Sequence, residues 1–125
     1  MDVPTVNLVA EYSPPGGAGS AGLAREFTRR TLAAWGYLGA HDDVVLAVSE
    51  LVANAARHAG GTSTVRLAGG AGRVRVEVAD DSPVRPHLRP QGTDGGWGLP
   101  LIDRLARCWG VVAHGHGKVV WCELA

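Results

Sequence analysis

A chain of 125 residues is sized for one domain, and at that length about two-thirds of the unfolded surface can be buried, enough for a core without staples. Twelve Lys and Arg balance twelve Asp and Glu with no basic run, which argues against a nucleic-acid partner. The opening Met1-Asp2-Val3-Pro4 lacks the basic and apolar stretches of a secretion signal. No apolar run approaches the roughly 20 residues needed to span a bilayer, so the expectation is a cytoplasmic domain with no membrane contact. Cys108 and Cys122 both sit in apolar patterns and are expected to be buried free thiols, and two cysteines so spaced make no metal motif.

In chain order, residues 3–12 have strand character and stop at Pro14-Pro15-Gly16-Gly17. Residues 19–35 form an amphipathic helix, with Leu23, Phe27, Leu32 and Ala34 as its apolar set and Arg25, Glu26, Arg29 and Arg30 outside. Asp42 and Asp43 open a second helix that runs to about Ala59 and closes at Gly60-Gly61. Residues 64–68 and 73–79 are short strands. The second sets Val74, Val76 and Val78 on one face against Arg73, Arg75 and Glu77 on the other, the pattern of a half-buried antiparallel strand. Residues 80–96 are irregular and carry Pro83, Pro86 and Pro90, and a loop so long in a small domain is usually a lid or binding loop. A third helix over 97–109 leads to a hairpin of 111–113 and 119–124 around Gly115-His116-Gly117. The sum is an α+β class: a two-layer sandwich of a mixed, mostly antiparallel sheet with helices on one face.

Three features carry chemistry. On the second helix, Val44, Val45, Ala47, Val48, Leu51, Val52 and Ala55 predict burial, yet Glu50, Asn54, Arg57 and His58 fall on one polar stripe at about 100° per residue. That stripe is either a solvated face or the wall of a polar site. Glu50 and Asn54 stand one turn apart and can both offer oxygens to a hydrated Mg²⁺, or Glu50 can polarise a hydroxyl. Second, the alternating strand runs straight into Asp80-Asp81-Ser82-Pro83. A carboxylate there can accept a hydrogen bond from the exocyclic amine of adenine, although Asp-Ser-Pro is also ordinary turn chemistry. Third, Gly95-Gly96-Trp97-Gly98-Leu99 precedes a helix, where unpaired N–H groups suit phosphate. No Gly-Lys-Ser/Thr follows, so it is not a Walker loop.

In that order, Glu50-Leu51-Val52-Ala53-Asn54-Ala55-Ala56-Arg57-His58 resembles the N box of the histidine-kinase-like (Bergerat-fold) ATPase superfamily. Asp80-Asp81-Ser82 resembles its G1 box and Gly96-Trp97-Gly98-Leu99 its G2 box. The chain looks most like the small bacterial anti-sigma-factor serine/threonine kinases and their actinobacterial single-domain ATP-binding relatives, over roughly residues 20–125. The resemblance implies ATP and Mg²⁺ as cofactors. It gives Asn54 to the metal that bridges the phosphates, Glu50 to the base, and Asp80 to the adenine amine. Ser82, Gly96, Trp97, Gly98 and Leu99 line the nucleotide, and His58 either lines its phosphate end or packs at the helix end. The implied function is an ATP-binding anti-sigma-type regulator. It would bind a sigma factor and phosphorylate a serine or threonine of an anti-anti-sigma protein, and relatives are often homodimers. The alternative is a nucleotide-dependent protein-interaction module with little or no kinase activity. Three departures bear on the choice: Ser82 and Val84 stand at the two G1 glycine positions, and the last strand lacks the usual threonine before its hydrophobic run.

Overall fold

Alternation with period two decides the sheet, and period 3.6 decides what covers it. The computed structural model describes residues 7–17, 19–59, 62–82 and 99–125, without the side chains of His58, Ala59 and Leu99. The elements run β1(Leu8–Tyr12), α1(Ser20–Trp35), α2(His41–Ala59), β2(Ser63–Gly69), β3(Val74–Asp80), α3(Leu99–Leu105), β4(Cys108–His114) and β5(Gly117–Leu124). The strands form one open sheet in the order β1-β2-β3-β5-β4. All four pairings among the described residues are antiparallel.

Cross-strand register puts Val65, Val78 and Val120 in one row and Leu67, Val76 and Cys122 in the next, all buried. These rows pack against Val44, Val48, Leu51, Val52 and Ala55 of α2, so the core lies between the helices and one face of the sheet. The opposite face is polar. Glu11, Arg66, Glu77, Arg75 and Glu123 form a chain of ion pairs with N···O distances of 2.8–3.5 Å. The Arg75 guanidinium lies 4.2 Å from the centre of the Trp121 ring. Burial alone would push the Glu77 carboxyl up, but hydrogen bonds from Arg75 and Arg66 outweigh it and hold the group below its ordinary range.

Helix α1 buries Ser20, Ala24, Thr28, Thr31 and Leu32, so its inner face is set by small residues and threonines. Leu23 is exposed and Ala34 points outward, contrary to the expected apolar set. The threonines fit inside because Thr28 and Thr31 donate to the carbonyls of Ala24 and Phe27 one turn back. The helix ends on Gly36 at φ 64°, with Tyr37 N–H bonded to the Leu32 carbonyl and Gly36 N–H to that of Ala33, a Schellman cap.

The third helix is shorter than its sequence pattern suggests. It ends at Leu105, and Cys108–His114 is strand β4, which pairs with β5 along its whole length. Propensity does not forbid a helix through Trp109, but β5 offers a ladder of backbone partners that α3 could not satisfy. Cys108 is therefore on an edge strand and exposed, correcting the expectation of two buried thiols, while Cys122 is buried as expected. Residues 3–6 and the start of the third helix at 97–98 lie outside the described residues.

Candidate functional site

Helix α2 brings the first group together. Its buried arc holds Val44, Ala47, Val48, Leu51 and Ala55, and Asn54 sits on the rim of that arc at 7% exposure. Glu50, one turn earlier, is half-buried and Arg57, nearly one turn later, is exposed. The Arg57 guanidinium donates to Asn54 Oδ1 at 2.6 Å. The stripe is thus not a uniformly solvated face: its central amide is buried, hydrogen-bonded and flanked by a carboxylate and a cation. A cleft of about 500 Å³ opens between the start of α1 (Gly17, Gly19, Ser20) and the outer side of α2, where Glu50 and Arg57 reach it. Arg25 ties the two helices by donating to the Ser49 hydroxyl at 2.9 Å.

The second group sits at the end of β3. The inward series Val74, Val76, Val78 continues to Asp80, which the strand therefore delivers to the helix-covered face at the sheet's end. Asp80 and Ser82 are both buried. Asp80 Oδ1 accepts the Ser82 N–H at 2.9 Å, an Asx turn that ends the strand. Directly across the ladder stands Lys118. Its ammonium lies 3.0 Å from both carboxylate oxygens and donates to the Ser82 carbonyl at 3.3 Å. The lysine and aspartate side chains are 4% and 2% exposed. Gly117 makes this approach possible, because a Cβ there would overlap the Asp80 carbonyl oxygen.

Among the predicted site residues, Glu50 and Asn54 are brought together on α2, and Asp80 and Ser82 at the end of β3, the strand against which α2 packs. Gly96, Trp97 and Gly98, the departure at Val84, and the side chains of His58 and Leu99 lie outside the described residues. Sequence reasoning missed Lys118. The signal was available: it is the only lysine of the chain and stands on the inward row Lys118, Val120, Cys122, Leu124. A buried ammonium needs an acid within reach.

A family model described as the histidine kinase-like ATPase domain matches residues 18–123. The chain belongs to that family. Among curated proteins, none matches the chain. The histidine kinase-like ATPase domain is an ATP-binding fold, and its open antiparallel sheet with helices on one face is the architecture seen here. The α2 group fits the phosphate end of a magnesium nucleotide: a buried amide oxygen and a neighbouring carboxylate are hard oxygen donors, with a guanidinium beside them. The β3 group fits adenine less simply, because the carboxylate that would accept the amine already holds an ammonium. Among the described residues no helix is long and apolar enough to cross a membrane.

Proposed function

We propose that this histidine kinase-like ATPase domain is an ATP-binding regulator of the anti-sigma type, acting as a serine/threonine kinase on an anti-anti-sigma partner. The observation that carries this reading is the Glu50–Asn54–Arg57 arrangement, a buried amide between a carboxylate and a guanidinium on the helix whose apolar arc packs into the core. Asn54 would hold Mg²⁺ on the phosphates, and the ion, when bound, neutralises charge on the transferred group. Arg57, released from Asn54, would turn its positive charge to the same phosphates. Glu50 would accept the proton of the partner's hydroxyl as its oxygen attacks the γ-phosphorus, with ADP leaving. Positioning and charge neutralisation supply most of the rate in such transfers.

The second reading is a nucleotide-dependent protein-interaction module with little or no kinase activity. The Asp80–Lys118 pair favours it, since a site whose base-reading carboxylate is occupied holds nucleotide less firmly. Incubation with labelled ATP, Mg²⁺ and candidate anti-anti-sigma proteins separates the two. The kinase reading predicts label on a serine or threonine of the partner, reduced at least 100-fold in Glu50→Gln, in line with what a positioned base contributes. Binding of ATP with no transfer to any candidate leaves the module.

A further inference from the structure

We propose that Lys118 is the residue that sets base recognition in this domain, by holding the Asp80 carboxylate away from the nucleotide. The inference rests on the reading of the site as a nucleotide site. The ammonium lies 3.0 Å from both oxygens of Asp80, donates to Oδ1 and donates also to the Ser82 carbonyl, so its charge is held at the end of β3. On the carboxylate side, Oδ1 takes both Lys118 and the Ser82 N–H. An incoming exocyclic amine meets a carboxylate whose charge is neutralised by the ammonium and whose Oδ1 already accepts two bonds. The register of β3 and β5 fixes the arrangement, because Asp80 and Lys118 are cross-strand partners. Gly117 lets β5 come close to the end of β3, because a Cβ there would overlap the Asp80 carbonyl oxygen. Moving the lysine aside means opening a buried ion pair, a step that a single base hydrogen bond only offsets.

Base identity then contributes little to affinity in the parent protein. ATP, GTP and inorganic tripolyphosphate, each with Mg²⁺, should bind within about threefold of one another by calorimetry. Lys118→Thr keeps a hydroxyl near Asp80 and frees the carboxylate. It should raise ATP affinity at least tenfold and GTP affinity little, within the range of about 10–150-fold for a charge-assisted hydrogen bond in a closed site. Asp80→Asn placed in the Lys118→Thr background should remove that gain. Because Lys118→Thr leaves a buried carboxylate without its cation and so destabilises the fold, the parent comparison stands as an independent test. A parent that binds ATP tenfold tighter than GTP and tripolyphosphate overturns the proposal while leaving the nucleotide site intact. So does a folded Lys118→Thr that binds ATP more weakly than the parent, which would make Lys118 itself a base contact. Folded parent and variant that both fail to bind any of the three probes refute the nucleotide site, and the proposal with it.

Discussion

Two cysteines with similar local patterns end in opposite environments. Burial pushes the Cys122 thiol up to about 12, so it is neutral throughout the physiological range, whereas Cys108 is exposed on the edge strand. A maleimide or disulfide reagent should modify one thiol per native chain, at Cys108, and the second only on unfolding. Mass mapping after brief labelling checks this, and rapid modification of Cys122 in the native protein would contradict the packing of β5 described here. The difference was not legible in sequence, because it depends on the register of β4 on β5, which pairs Cys108 with Glu123 on the polar face while Cys122 lies on the buried row. Lys118 is the converse. Its inward position follows from β5's own alternation, and Asp80's follows from that of β3. Only the register that sets them opposite each other needed the structure. Glu50 and Asn54 were legible because helical spacing is fixed by geometry, while the Arg57 bond to Asn54 was not, since side-chain rotamers are not set by spacing.

At the scale of elements, the sheet's outer face is a test of pH. The Glu77 carboxyl is held below its ordinary value by Arg75 and Arg66, so its stabilising effect is fully present above the unfolded value of 4.5. That effect is lost as pH falls through the lower folded value. Glu77→Gln should cost on the order of 1 kcal/mol near neutrality, the arginine partners being partly exposed. The gap should narrow as pH drops below about 4.5, and a parent–variant difference in Tm that stays constant from pH 7 to pH 3 would contradict it. The strands β2 and β3 were readable to within a residue, β3 because Val74, Val76 and Val78 alternate with Arg75 and Glu77, and β2 because it is a short β-prone run bounded by glycines. The end of α3 was not, because Cys108 and Trp109 suit helix and strand alike and the choice falls to pairing with β5. Nor was the inner face of α1, where Thr28 and Thr31 are buried at no cost in unpaired hydroxyls while Leu23 is left outside.

For the whole molecule, the central claim is that α2 holds the phosphate end of a magnesium nucleotide. Any ligand that binds only the folded chain stabilises it by mass action, about 2.7 kcal/mol at a hundredfold excess over Kd, or on the order of 10 °C in Tm for a domain of this size. The base contributes little here if Lys118 guards Asp80, so most of that stabilisation should come from phosphates and metal and should vanish when either is withheld. The most direct measurement is a calorimetric titration of ATP with and without Mg²⁺ into the parent and into Asn54→Ala, with Tm followed in parallel. The account predicts that Mg²⁺ tightens ATP binding at least tenfold in the parent and raises Tm. In folded Asn54→Ala the metal should make no difference. Equal Mg²⁺ dependence in the two proteins, or no ATP binding by the parent at all, would contradict it.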